Sequence, residues 1–270
     1  MTGADKIFAG TIPEIYQRYL VPMIFEPYAM DMADRVARLS PSRVLELAAG
    51  TGVVTRALAM QLGTAAEIVA TDLNQPMLDA AARQQSGQGG VTFRQADAMA
   101  LPFENESFDL AVCQFGVMFF PDKLQSYREV RRVLKPRGTY IFSVWDQLSG
   151  NEFVTVVNAA LASRFPDDPP RFMERAPHGY YDTKAIVKAV KEAGFAEASV
   201  ETIDKIARAG SAFDAAAGYC QGNPLRGEIE ARAPGGLQTV TDAVASALAE
   251  RFGQGEIEGR IRAHVITARR

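Results

Sequence analysis

The stretch 44-VLELAAGTGVVT-55 decides the fold. Arg43 to Leu47 is a short apolar run that halts at AAGTG. From Gly52 to Leu62 the apolar residues Val53, Ala57, Leu58 and Leu62 recur at helical spacing as far as Gly63, a natural helix stop. A strand that turns through Gly50 and Gly52 into a helix brings backbone close to a ligand with no Cβ in the way. The helix then aims its free N–H groups and the positive end of its dipole at that ligand, which favours a carboxylate or a phosphate.

The same rhythm repeats downstream. Glu67 to Ala70 reads as a buried strand ending at Thr71 and Asp72, and Asn74 is placed to cap a helix with Pro76 in its first turn, ending near Gly87. Val91 to Ala96 and Phe108 to Cys113 are further strands, stopping at Asp97 and Gln114. Pro121 opens a helix whose Leu124, Tyr127, Val130, Val133 and Leu134 share a face; Pro136 and Gly138 stop it, and Thr139 to Trp145 is the fifth strand. This alternation predicts an α/β fold, a doubly wound and mostly parallel sheet with helices on both faces.

After Trp145 the rhythm is interrupted twice. Residues 146–182 hold a helix near Phe153 to Phe165 and the turn PDDPP, and 205–255 looks helical around Ala212 to Cys220 and Gln238 to Phe252. Between them, a helix from Thr183 to Ala193 and a sixth strand from Ala196 to Ile203 resume the pattern, and Arg260 to Ala268 is the seventh strand. Interruptions of this length mark functional or covering segments. The expected organisation is one domain over 1–270, a seven-stranded sheet to which residues 1–40, 146–182 and 205–255 are additions.

Composition narrows the function. Of 270 residues 47% are hydrophobic and 23% charged, which excludes collagen-like, coiled-coil and disordered classes. A net charge of −3 offers no basic surface for phosphate backbones, and Arg131–Arg132 and Arg269–Arg270 read as solvated charge, so no nucleic-acid partner is expected. Cys113, Cys220, His178 and His264 are too few and too scattered for a disulfide framework or a metal site. The first twenty residues lack the cationic-then-apolar order of a signal peptide, and Leu110 to Phe120 is too short to span a bilayer. A cytoplasmic protein without membrane insertion is the expectation.

Asp72 follows Gly52 at about the 20-residue spacing at which an acid reaches ribose hydroxyls in nucleotide-binding α/β folds. Ligands in such sheets sit beyond the carboxyl ends of the strands, so Asp72, Asp97, Gln114 and the Gly50 turn are expected to face one crevice. A dinucleotide fingerprint G-x-G-x-x-G needs glycine where Thr55 stands, and Glu46 does not belong to it. The fourth and fifth strands also lack a nearby Tyr-x-x-x-Lys pair, which weighs against an NAD(P)-dependent oxidoreductase.

With Glu46-Leu47-Ala48-Ala49-Gly50-Thr51-Gly52 the chain resembles the class I S-adenosylmethionine (SAM)-dependent methyltransferases, whose first motif reads E-x-G-x-G-x-G. Ala48 replaces the first glycine, a change tolerated where φ is negative. Ala70 to Leu73 with Pro76-Met77-Leu78 resembles the family's ribose-binding motif. Gln95 to Ala98, followed by Leu101-Pro102-Phe103 and Ser107-Phe108-Asp109, is similar to its adenine loop and fourth strand. Val133 to Gly138 resembles the helix end before the fifth strand, with Arg137 where glycine is common, and Ala193-Gly194-Phe195 the turn before the sixth. Each motif alone is weak, but five in the right order are strong. The likeness is nearest to the ubiquinone/menaquinone-biosynthesis (methyltransferase type 11) branch.

The resemblance implies a Rossmann-like domain with a helical cap, SAM as cofactor with S-adenosylhomocysteine as product, and methyl transfer to a small, hydrophobic or aromatic molecule. It implies that Ala48, Gly50 and Gly52 approach the methionine portion through backbone. Glu46 joins them as a cofactor residue or else satisfies N–H groups of the turn. Asp72 accepts from the ribose hydroxyls, Leu73 packs on adenine, Asp97 accepts from the adenine amino group, and the Ala98 N–H donates to the ring. Gln114 and Phe115 line the wall beside the sulfonium. Pro13 to Tyr28, with Tyr16 and Tyr19, looks like the family's lid over cofactor, where the plainer alternative is an amphipathic helix packed on the sheet. His178, in PHGYY, is the candidate general base near neutral pH, against an ordinary loop histidine. The segment around Phe213, Tyr219 and Leu225 is acceptor cover by position alone. Asp109, Cys113, Trp145 and His264 read as structural. A SAM-binding regulator without catalysis is the remaining alternative, and the helical insertions leave a homodimer open.

Overall fold

Seven strands form one sheet: β1 (Arg43–Glu46), β2 (Glu67–Asp72), β3 (Val91–Gln95), β4 (Phe108–Gln114), β5 (Leu134–Trp145), β6 (Glu197–Ala209) and β7 (Ile257–Arg269). Their order is β3-β2-β1-β4-β5-β7-β6 in this computed structural model, which describes residues 8, 10–85 and 90–270. The inner strands β1, β2 and β4 are apolar and buried at their centres, and β1–β2, β1–β4, β2–β3 and β4–β5 pair in parallel. The β7 strand runs the other way: Arg270 N–H donates to Gly138 O at one end of β5, and Asp146 N–H donates to Arg262 O at the other. Along β6, exposed and covered residues alternate, as suits an edge strand with one wet face.

The helices are α1 (Ile12–Ile15), α2 (Glu26–Ala37), α3 (Val53–Leu62), α4 (Gln75–Gln84), α5 (Lys123–Val133) and α6 (Glu152–Arg164), then α7 (Phe172–Arg175), α8 (Thr183–Glu192), α9 (Ala212–Gln221), α10 (Leu225–Arg232) and α11 (Leu237–Phe252). A π-helical stretch, Tyr16–Phe25, joins α1 to α2 and contains Pro22. The chain divides into two compact units.

The first, the sheet unit, comprises Tyr28–Val144, Tyr181–Ile203 and Ala263–Arg270. On one face Met32 and Val36 of α2 and Val54 and Leu58 of α3 pack on Val44, Ile68, Leu110, Val112 and Ile141. On the other, Tyr140 stacks on Phe142 at 4.8 Å and Tyr127 of α5 lies 5.5 Å from Phe142. Each such fully buried side chain contributes about 2 kcal/mol over leaving it in water.

Asp109 ties the amino-terminal ends of the strands together. Its Oδ2 accepts from Ser42 Oγ (2.6 Å) and Arg43 N–H (2.8 Å), and its Oδ1 from Lys135 Nζ (2.7 Å). Partial burial opposes its ionisation, but Lys135, Ser42 and Arg43 N–H outweigh that and hold its carboxyl down to about 2. Its stabilising contribution is therefore complete above the ordinary carboxylate range and is lost as pH falls toward 2. Asp109→Asn is expected to lower stability by about 2 kcal/mol at pH 7 in urea denaturation and by nearly nothing at pH 2.

The second, the helical unit, comprises residues up to Pro27, Trp145–Tyr180 and Asp204–Arg262. Here α11 packs on α9 and α6, and α9 packs on the π-helical stretch at Gly218, where an added Cβ would lie 3.1 Å from Leu20 Cδ2 and 3.2 Å from Tyr19 Cβ. Residues 1–7, the start of the expected lid, lie outside the described residues.

Several boundaries differ from the sequence expectation, each for a local reason. The sixth strand runs on to Ala209 rather than ending at Ile203, because an edge strand tolerates the polar run Asp204–Lys205 that reads as a break. The fifth begins at Leu134, where Arg137 adopts φ +66 in the place that favours glycine. Asn74 does not cap α4 with its side chain, which turns back to Asp72 Oδ1. That helix closes at Gln84, and the expected end near Gly87 lies outside the described residues. Pro121 precedes the next helix rather than opening it, and Asp122 caps α5 by accepting from Gln125 N–H at 2.9 Å.

Candidate functional site

The carboxyl end of β1 turns into α3 through residues 47–52, fixed by Leu47 N–H to Val112 O and Ala49 N–H to Thr71 O, both 2.9 Å. Gly52 caps α3 at φ +81, and a Cβ there would meet Ala81 Cβ of α4 at 3.0 Å, so glycine is needed for both conformation and closeness. Gly50, also at positive φ (57), donates its N–H to Asp72 Oδ2 at 2.9 Å. Asp72 Oδ1 accepts from Asn74 N–H at 2.8 Å. The Asp72 carboxylate thus clasps the glycine turn to the end of β2, a link the sequence does not announce. Burial raises its pKa, against the hydrogen bonds from Asn74 and Gly50.

Ala48 departs from expectation: its φ is +52, not negative. The turn imposes the left-handed conformation, and Gly116 makes room for the methyl, since a Cβ on Gly116 would fall 2.5 Å from Ala48 Cβ. Phe115 is a second non-glycine at φ +52, its ring edge-on to Tyr28 at 5.2 Å. Two strained residues at the ends of neighbouring strands are typical of a ligand site.

Glu46 is 2% exposed and its Oε2 accepts from the Thr55 hydroxyl at 2.6 Å. Burial pushes its carboxyl up to about 8, against the Thr55 hydroxyl and the more distant charge of Arg56. It therefore holds the first turn of α3 as a largely neutral acid near pH 7. Thr55, which replaces the third glycine of the dinucleotide fingerprint, is its partner.

Asp97 forms a local turn, its Oδ1 accepting from Met99 N–H at 2.9 Å, with Ala98 buried behind it. Leu73 is 47% exposed. It lies on a segment held by Gln95 Nε2, which donates to Leu73 O at 2.8 Å. Gln114 and Ser143 are cross-strand neighbours at the ends of β4 and β5. The hydroxyls of Ser143 and Thr51 are buried without a hydrogen-bond partner, and buried polar groups are rarely left so unless a ligand or water completes them. An exposed apolar side chain, two carboxylates just at or past the ends of β2 and β3, and two uncompleted hydroxyls fit a ligand with a flat ring and polar groups.

The remaining expected residues belong to the helical unit. Tyr16 stacks on Phe25 at 4.9 Å, Phe25 lies 6.1 Å from Trp145, and Trp145 lies 6.2 Å from His178. Tyr19 backs onto Gly218, with Arg18 over its ring at 5.0 Å. His178 does not titrate near neutrality: burial drops its pKa to about 4, only partly opposed by Asp146 O. His178 Nδ1 lies 2.8 Å from that carbonyl, which can only accept, so Nδ1 carries the hydrogen and Nε2 is the free acceptor. His264 pairs with Thr202 Oγ1 at 2.9 Å in the sheet. Arg131 and Arg132 are partly exposed but also bonded: Arg131 Nε donates to Gly194 O at 2.7 Å, and Arg132 anchors the loop after Asp97.

Residues 45–142 match the family model described as a methyltransferase domain. Over 97 residues the chain is 42% identical to the demethylmenaquinone methyltransferase of Lactobacillus johnsonii, covering 35% of this chain and 40% of that protein. It is 30% identical over 168 residues to the ubiquinone/menaquinone biosynthesis C-methyltransferase UbiE of Pseudomonas aeruginosa, covering 58% of this chain and 66% of that protein. The matched region thus spans about two fifths of the former and nearly two thirds of the latter. The crystal structure of the YcgJ protein from Bacillus subtilis superposes with TM-score 0.56 at 20% identity, over 90% of this chain and 98% of that one, a likeness of fold. With the strand order, the E-x-A-x-G-x-G turn and these relatives together, residues 45–142 form a methyltransferase domain similar in sequence to the methyltransferases of ubiquinone and menaquinone biosynthesis.

Proposed function

We propose that the chain transfers a methyl group from SAM to a small, hydrophobic or aromatic molecule by in-line displacement. The observation that carries this reading is Leu73, left 47% exposed next to Asp72 at the end of β2, with Asp97 just beyond the end of the neighbouring β3. When bound, the cofactor supplies an electrophilic methyl on a positively charged sulfur. The backbone of Ala48, Gly50 and Gly52, with Glu46 behind it, receives the methionine portion; Asp72 takes the ribose; Leu73, Asp97 and Ala98 take the adenine; Gln114 and Phe115 flank the sulfur. Positioning of this kind supplies much of the acceleration of a displacement reaction.

The aromatic set of the helical unit, Tyr16, Phe25 and Trp145, with Tyr19 behind it, binds the methyl acceptor. The names of the relatives, which act on demethylmenaquinone and in ubiquinone and menaquinone biosynthesis, support a ring-bearing acceptor. His178 Nε2 accepts a hydrogen bond from the acceptor's hydroxyl and orients it. With a pKa near 4 the imidazole is neutral throughout the physiological range. No helix of the described residues is long and apolar enough to cross a membrane. The same reading puts the enzyme in the cytoplasm without a nucleic-acid partner, for which the net charge of −3 speaks.

Radiolabelled methyl transfer from SAM across a panel of phenols, quinols and carboxylates tests the function; binding of SAM with no transfer to any of them overturns catalysis. For His178→Ala, kcat/KM on the best acceptor is expected to fall about tenfold, the worth of one hydrogen bond. The wild-type profile is expected to show no histidine ionisation between pH 6 and 8. An unchanged kcat/KM removes His178 from the site.

A further inference from the structure

We propose that the Arg132–Glu129 pair of α5 positions the Asp97–Phe103 loop to select adenine, which makes Arg132 a specificity-determining positioning residue of the cofactor site. The proposal rests on the cofactor reading above and concerns a residue that touches no ligand itself.

Between β3 and β4 the chain from Asp97 to Asn105 has no helix or named strand of its own, so many of its backbone bonds are met by side chains. Arg132 meets two of them and the Asn105 side chain as well. Its Nε and Nη2 grip both Glu129 oxygens at 2.8 Å each, a bidentate pair that fixes the guanidinium plane. From that plane Nη1 donates to Phe103 O (2.7 Å) and Asn105 Oδ1 (2.9 Å), and Nη2 to Leu101 O (2.9 Å). Glu129 Oε2 also accepts from Leu101 N–H at 2.8 Å, so Leu101 is held by both its backbone groups. One residue earlier, Ala100 N–H closes onto Asp97 O at 3.0 Å, and Gln125 Nε2, also from α5, donates to Met99 O at 3.3 Å.

Each bond fixes one point of the loop, and together they set the direction of the Asp97 carboxylate. Asp97 spends Oδ1 on Met99 N–H, and Oδ2 is the oxygen assigned to the ligand. An amino group on a purine ring is a donor that this oxygen takes; a ring carbonyl at the same place is repelled by it. Only a guanidinium supplies five donors in a rigid fork, so lysine at 132 reaches part of the set and glutamine less.

The test is calorimetric titration of the ligand-free full chain with S-adenosylhomocysteine and with S-inosylhomocysteine, in which a carbonyl replaces the adenine amino group. Wild type is expected to prefer the adenine ligand by at least tenfold. In Arg132→Gln that preference is expected to collapse toward one, with at least tenfold weaker binding of S-adenosylhomocysteine, and Arg132→Lys is expected to fall between. Amide hydrogen exchange over residues 97–105 is expected to quicken in Arg132→Gln without ligand. Should Arg132→Gln fail to fold, Glu129→Gln, which keeps an acceptor for Leu101 N–H, carries the same comparison. Equal weakening of both ligands, with the wild-type preference kept, overturns the proposal alone. Failure of wild type to bind S-adenosylhomocysteine overturns the cofactor reading and the proposal with it.

Discussion

Gly116→Ala is expected to cost about 3 kcal/mol of stability and to weaken cofactor binding severely. A Cβ at position 116 would stand 2.5 Å from Ala48 Cβ and 2.7 Å from Cys113 Sγ. Neither neighbour can yield cheaply. The Ala48 methyl is bonded directly to a backbone already held at φ +52, and Cys113 is fully buried near the end of β4. The displacement must therefore be taken up by backbone, and that backbone is the turn through which Gly50 reaches Asp72. Ala48→Gly removes the nearer contact and relieves left-handed strain worth about 1 kcal/mol. The double variant should recover part of the loss, so the two substitutions are non-additive in urea denaturation. Additivity within about 0.5 kcal/mol would show that the two methyl positions do not meet.

Glu46→Gln should raise stability in proportion to pH. Buried against the sheet, Glu46 holds its proton up to about 8, whereas an exposed glutamate ionises near 4.5. Between those values the unfolded chain is charged at this site and the folded chain is not. The folded state binds more protons, and stability falls as pH rises through that window. Glutamine keeps an oxygen for the Thr55 hydroxyl and has no proton to lose. The gain is expected to be near zero at pH 4.5 and on the order of 4 kcal/mol above pH 8. Urea midpoints at pH 5 and pH 9 decide the matter, and an equal gain at both would mean that Glu46 ionises normally in the folded chain.

The parts of the fold legible in the sequence are those set by local pattern. The β1 turn shows because only glycine suits Gly50 and Gly52, and α3 shows through its apolar spacing to Gly63. The inner strands show through the apolar runs at their centres, Ile68–Ala70 and Leu110–Cys113, because both faces are covered there. The end of β6 does not show, since an edge strand carries polar residues that read as a break.

The site divides the same way. Asp72 and Asp97 stand at strand ends and are found by spacing, but what each carboxylate holds depends on folding: Gly50 N–H for Asp72, Met99 N–H for Asp97. Arg132 looks like half of a solvated pair because its partners at 101, 103 and 105 lie roughly thirty positions away in the chain. Residue identity cannot show that Ala48 is driven to positive φ or that His178 is buried enough to lose its basicity. Both follow from neighbours that only the folded chain supplies.

Calorimetric titration of the ligand-free protein with SAM, S-adenosylhomocysteine and NAD, with Asp97→Ala alongside, tests the cofactor site most directly. One molecule of either sulfur nucleotide is expected to bind per chain, at least tenfold more weakly in Asp97→Ala, while NAD gives no heat of binding. Binding of NAD, or of neither sulfur nucleotide, would contradict the methyltransferase assignment.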